Sequence, residues 1–255
     1  MFKLQVNPFL RPIHLSFSVL MLSIFCLLLA SCSAPTPPKP TYTGHWICKN
    51  AYLTVMDSMS INRATLPPFE LVFREGIDSM LFLNPLEIAA FPIHKNAENQ
   101  RTVIGFIRDS ISTFTLSDDG NLHFVSGNGQ MDFFKADSNL AEPFYGKWKT
   151  TLKNFYVESL ISGKYLSGKD SLSVSPMGVV RASKTMTKID LLMGGDDAQG
   201  NIDMAIITKP NGEKTKIGWR ILGKKLNFYA LQNSSSPKEK PYWTATQIIE
   251  SWEKL

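Results

Sequence analysis

The sequence predicts an all-β protein of two tandem antiparallel meander modules, preceded by an N-terminal signal helix. Three observations carry that reading. Five paired segments recur in the same order at offsets between 91 and 105 residues. Turn signals such as Pro210-Asn211-Gly212 and Asp118-Asp119-Gly120 separate short runs of apolar or alternating residues. Hydrophobic content of 44% against 19% charged residues suits a folded chain rather than a disordered one.

At the amino terminus, Lys3 and Arg11 are followed by Ile13–Ala30, a run without charge. A basic start, an apolar stretch and small residues at its end are the parts of a secretory signal. The run closes on Leu29-Ala30-Ser31-Cys32, which resembles the bacterial lipobox. That resemblance implies that the signal peptide, residues 1–31, is removed and that Cys32 is acylated. Two or more acyl chains hold a protein stably at a bilayer, where one is marginal. Ser33, rather than aspartate, follows the cysteine, which the resemblance reads as delivery to the outer membrane; the lack of an acidic cluster places the protein on the periplasmic face. Residues 32–43 carry Pro35, Pro37, Pro38 and Pro40 and are expected to form an extended tether, at about 3 Å per residue. Cys48 is then the remaining free thiol, which excludes a disulfide within the chain. It lies in the apolar run Trp46-Ile47-Cys48 and reads as a buried small hydrophobe.

The repeat divides the remainder into modules at 44–138 and 144–255. Gly44-His45-Trp46 answers Gly146-Lys147-Trp148, and Asn50–Leu53 answers Asn154–Val157. Asp78–Ala90 matches Asp170–Ala182, Ile104–Ile107 parallels Met204–Ile207, and residues 113–126 parallel 218–231. Each module is expected to hold about seven or eight short strands, closing as a barrel or folding as a sandwich so that edges are removed. Leu53, Met56, Met59 and Ile61 are spaced for a short helix or a loop. Ile248, Ile249, Trp252 and Leu255 recur at helical spacing, so a short closing helix is expected.

A Gly-x-Trp in the first strand, an eight-stranded meander and a terminal helix are similar to the lipocalin-like small barrels, which are common in lipoproteins of the Bacteroidetes type. The resemblance implies that Trp46 and Trp148 pack at the closed end of their barrels. In that family an arginine of the last strand caps the tryptophan; Met131–Ala136 and Tyr242–Gln247 contain none.

Chemistry is sparse. His45, His94 and His123 are isolated, without zinc-ligand spacing. Asp196-Asp197-Ala198-Gln199-Gly200 lacks the alternating carboxylates of a calcium loop. No Gly-x-Ser-x-Gly occurs, and Ser235-Ser236-Pro237-Lys238 meets Ser-x-x-Lys inside a polar loop. Five of twelve aspartates are followed by serine, where composition predicts about one. Four of these pairs, at Ser58, Ser79, Ser110 and Ser171, continue with an apolar residue and resemble a Bacteroidetes O-glycosylation acceptor; Asp-Ser is equally a turn signal.

The function expected is that of a lipid-anchored envelope protein, a non-catalytic module for ligand binding or interaction. Its partners are the membrane, through the anchor, and a small apolar ligand or an envelope protein. No cofactor or metal is implied, and a net charge of +5 over 255 residues is too weak to imply nucleic acid. Two readings stand beside it: an envelope hydrolase with a site between the modules, or a structural subunit of an envelope complex. Mass spectrometry of the mature protein is expected to find lipid on Cys32 as the first residue. Another start, or an unmodified Cys32, would overturn the lipobox reading.

Overall fold

The first strand, β1 (Gly44–Cys48), leads into a helix, α1 (Lys49–Ser58), before the chain returns as β2 (Glu70–Phe73). The computed structural model describes residues 39–107, 111–127, 129–144, 148–194, 200–236 and 239–255. β3 (Ser79–Leu83), β4 (Ile88–Ala97), β5 (Gln100–Ile104), β6 (Ile111–Leu116), β7 (Leu122–Ser126) and β8 (Gly129–Lys135) follow in meander order. β8 pairs back onto β1, closing an eight-stranded antiparallel barrel. Side chains alternate across each strand, so one set fills the interior. Trp46, Leu71, Phe73, Met80, Phe114, Phe124 and Phe133 are all buried there.

One end of this barrel is shut by the segment entering it. Trp46 Nε1 donates to the Tyr42 carbonyl at 2.7 Å. The Tyr42 hydroxyl is shared between the carbonyls of Asn99, at 2.7 Å, and Phe114, at 2.8 Å, and accepts from Leu116 N. Burial pushes the Tyr42 pKa up to about 12, so the hydroxyl stays a donor. Lys135 Nζ lies 5.6 Å from the centre of the Trp46 ring.

A two-stranded link, β9 (Glu142–Pro143) and β10 (Lys149–Thr150), precedes α2 (Leu152–Tyr156), which continues into a π-helical turn, Val157–Ile161. Then come β11 (Gly163–Ser167), β12 (Asp170–Val174), β13 (Val180–Arg181), β14 (Lys188–Leu192), β15 (Asp203–Thr208), β16 (Lys214–Leu222), β17 (Lys225–Asn233) and β18 (Trp243–Lys254). They form a second eight-stranded antiparallel sheet in which β18 pairs with both β17 and β11. β13 and β14 meet through the Val179–Lys188 bridge, so this barrel is nearly closed.

The architecture is therefore all-β and tandem, and two expectations need correction. The first is the register of the repeat. Trp46 pairs with Lys135, and its counterpart, paired with Lys254, is Tyr165 rather than Trp148. Gly44 and Gly163 share a left-handed φ, +133° and +139°, and a Cβ on either would meet the Cε of Lys135 or Lys254 at 2.6 or 2.9 Å. Trp148 lies on the link and packs outside the first barrel, against Val72, Leu81 and Leu83, with the Arg74 guanidinium 4.2 Å from its ring centre. Asp78 precedes the third strand of its barrel, whereas Asp170 opens the second of the other. The helix explains the slip: it follows the first strand in one module and precedes it in the other. Pairing the two helical motifs displaces everything before the sixth strand, the match of Ile104–Ile107 with Met204–Ile207 included, since β5 ends at Ile104 whereas Met204–Ile207 lie within β15. From the sixth strand on the match holds, with residues 113–126 and 218–231 forming the sixth and seventh strands of each barrel.

The second correction is the carboxyl-terminal segment, which is strand β18 and not a helix. Two register shifts against β17, around Tyr229, break the two-residue period. Trp252 still faces the core, while Ile248 and Ile249 are exposed. The apolar spacing of Leu53–Ala64 is met by α1, which ends where Met59 adopts a left-handed φ of 48°.

The two barrels share one core within the unit Pro40–Leu255. Ile47, Val55, Ile61 and Ala136 of the first module join the cluster filling the second barrel, and Tyr52 stacks edge-on against Phe134 and Phe155. Two buried carboxylates seal the joint reciprocally. Glu70, fully buried on β2, accepts from Thr151 N at 3.0 Å, from Thr151 Oγ1 at 2.8 Å, and lies 3.0 Å from His45 Nδ1. Asp203, on β15, accepts from Asn62 N at 2.8 Å, and Asn62 Nδ2 donates to the Ile202 carbonyl.

Truncating a core tryptophan costs about 3–5 kcal/mol, so Trp46→Ala is expected to lower unfolding free energy by that amount in a denaturant titration. Trp148→Ala, half-buried on an outer wall, is expected to lose less than half as much; equal losses would contradict this placement. A second prediction concerns pH. Burial, partly opposed by hydrogen bonds from Ser60 and the 61–62 backbone, raises the Asp203 pKa. From about 3.9, the unfolded value, up to that raised folded value, the folded chain holds a proton the unfolded chain has released. This contribution to stability therefore falls as pH rises through the window. Asp203→Asn cannot titrate, so wild-type stability minus variant stability is expected to fall over the same range. A pH-independent difference would refute the buried titration.

Candidate functional site

The loops at the open end of the first barrel surround its mouth. They are the segment after α1, the β3–β4 turn and the segment that follows β5. A cavity of about 370 Å³ opens among Phe69, Phe82, Phe91, Phe106, Ile107 and Met131, with Leu66 and Pro67 at one side. Gly105, with φ +79°, ends β5 and turns the chain so that Phe106 reaches into the barrel. The Phe106 ring meets Phe82 and Phe91 at the mouth, with centroids 5.6 and 5.4 Å away, and Phe124 in the interior at 5.5 Å. It forms the floor of the cavity. Below it, Phe114, Phe124 and Phe133 are fully buried and fill the barrel.

The rim holds the polar groups. Asn84 Oδ1 accepts from Leu86 N at 2.8 Å and Glu87 N at 2.9 Å, which pins the β3–β4 turn. Asn84 Nδ2 donates to Glu87 Oε1 at 3.2 Å. Among the lining residues described, Glu87 is the one carrying charge. The site can hold an apolar molecule against rings and offer its polar end one carboxylate; its described lining residues assemble no nucleophile or metal set.

Two other cavities test the enzyme reading. A cleft of about 310 Å³ at the joint is bordered by Pro85, Phe144, Lys153 and Met193. Lys153 Nζ lies 2.8 Å from Glu142 and 3.0 Å from Asp190, and Lys188 also pairs with Asp190. Burial alone would lower the Lys153 pKa, but the two carboxylates outweigh it and hold the pKa above its ordinary value. An ammonium so paired is a strut and a poor nucleophile. The third cavity, about 400 Å³, lies at the open end of the second barrel beside Asp170, Ser183, Lys184 and Trp252. Its Lys184–Asp170 pair, at 3.5 Å, is largely exposed. The interior of the second barrel is occupied by Tyr156, Val157, Leu160 and Ile161 from α2 and its π-turn.

Among the residues singled out from sequence, Trp46 lies in a core and Trp148 on an outer wall. The Ser58 hydroxyl donates to the Thr54 and Ser60 carbonyls at 2.8 and 2.9 Å, Ser79 is half-buried at the start of β3, and Ser171 is exposed on β12. Cys32 and Ser110 lie outside the described residues. Cys48 is buried, which pushes its thiol pKa up and leaves it inert. His45 faces Glu70 and His123 faces Asp132, and no metal-binding group of three ligands occurs among the described residues. The mouth phenylalanines were missed by sequence reading. The crowding of phenylalanine between residues 69 and 134 was the available signal, but each ring there reads equally as core.

Compared with known proteins, the chain matches no family model, no curated protein and no solved structure.

Proposed function

We propose that this is a lipid-anchored protein of the cell envelope, held on the periplasmic face of the outer membrane, whose first barrel binds a small apolar ligand at its mouth. The observation that carries the binding half is the apolar cavity of about 370 Å³ floored by Phe106. Pockets of about 300–1,000 Å³, apolar with a few polar groups, are the usual form of a small-molecule site. The anchor half rests on Leu29-Ala30-Ser31-Cys32. The lipocalin-like resemblance agrees with a mouth site, although here the aromatic filling confines a ligand to the outer part of the barrel. The second barrel, filled by its own helix, acts as a support.

N-Phenyl-1-naphthylamine, a neutral probe that brightens in apolar surroundings, is expected to bind saturably at one site. Ala89 borders the cavity, and Ala89→Trp is expected to abolish that signal while circular dichroism and melting stay unchanged. Saturable binding that survives the substitution, or none in the wild type, would overturn the reading.

A further inference from the structure

Taking the mouth as a ligand site, as proposed above, we infer that it selects ligands joining an apolar body to a positively charged nitrogen, such as an alkylammonium or quaternary amine. Three features on different elements converge on that chemistry. The first is the chain of rings. Phe69 on the approach to β2, Phe82 on β3, Phe106 after β5 and Phe91 on β4 run in contact in that order, with centroid separations of 5.3, 5.6 and 5.4 Å. Aromatic faces carry partial negative charge, and several rings around one cavity attract a cation that has shed its water.

The second is Glu87. Its turn is pinned by Asn84 Oδ1 and by the Asn84 N to Glu87 carbonyl bond at 3.1 Å, so the carboxylate is carried on a fixed support. Asn84 Nδ2 occupies one carboxylate oxygen, and the other accepts no hydrogen bond from a described residue.

The third is the distribution of cations. The described lining residues at the mouth include no lysine or arginine. The cleft at the shut end of the same barrel, about 230 Å³, is bordered by Arg74, Lys95 and Arg101 together with Glu75 and Asp78, so the cations of this barrel's cavities lie at the other end. A fatty acid entering the mouth would bring its carboxylate towards Glu87, with no lysine or arginine among the described lining residues to answer it. Because the interior beyond Phe106 is packed, a ligand's charged end stays near the rim and cannot be separated from it by depth.

The test uses three amphiphiles of equal chain length, each below its micelle concentration, to displace N-phenyl-1-naphthylamine from the full chain. Dodecyltrimethylammonium is expected to displace the probe at about ten-fold lower concentration than dodecanol, and dodecanoate to be weaker than dodecanol. Glu87→Gln, a change on an exposed turn, is expected to narrow the gap between ammonium and carboxylate several-fold. Phe91→Leu, which keeps apolar volume and removes a ring, is expected to weaken the ammonium more than dodecanol. Equal potency of the three amphiphiles, or preference for dodecanoate, would overturn the charge selectivity and leave the apolar site standing. Failure of the probe and of all three to bind would overturn both.

Discussion

Glu70 is the residue on which the arrangement of the two barrels turns. A carboxylate with no exposure is costly unless its oxygens are satisfied, and Glu70 finds its partners in His45 on the neighbouring strand and Thr151 at the entry to α2. The outer wall of one barrel thereby fixes the start of the other's helix. Asp203 works in the opposite sense, holding the segment after α1 with a carboxylate from the second barrel. Each module thus supplies an acid that the other must answer. Neither barrel closes its polar accounts alone, which explains why the apolar cores also merge: Val55 and Ile61 are inserted where the two acids hold them.

That joint decides which barrel keeps open space at its mouth. A helix placed before the first strand of the second barrel fills its interior, and a helix placed after the first strand of the first barrel leaves to serve the joint. The first barrel must then fill itself, which it does with phenylalanines that reach outward as far as Phe106. The mouth cavity is the space left between the last ring of this stack and the loops above it. The site follows from a shortage of filling at one end, shaped by Gly105 and the Asn84 turn.

Much of the fold was legible in the sequence because it was local. Pro210-Asn211-Gly212 and Asp118-Asp119-Gly120 mark hairpins whatever surrounds them. The register of the repeat depended on a long-range fact, the exchange of tryptophan for tyrosine at Tyr165, which hid the second Gly-x-aromatic strand behind a more conspicuous decoy at Trp148. β18 was obscured by bulges whose position is set by β17, not by its own residues. The mouth was invisible for a related reason. Phe91 on β4 and Phe114 on β6 have similar local surroundings in sequence, and only closure of the sheet makes one a wall of a cavity and the other a buried core ring.

The direction of the first barrel adds a constraint on how such a site could work. The chain enters β1 past Tyr42, whose hydroxyl is locked to the β4–β5 and β6–β7 ends of the barrel. The β3–β4 turn bearing Glu87 and the segment bearing Phe106 belong to the other end, because consecutive connections of a meander alternate between ends. The segment entering the barrel is therefore fixed to the packed, hydrogen-bonded end, where Trp46 and Lys135 also lie, and not to the loops that shape the mouth.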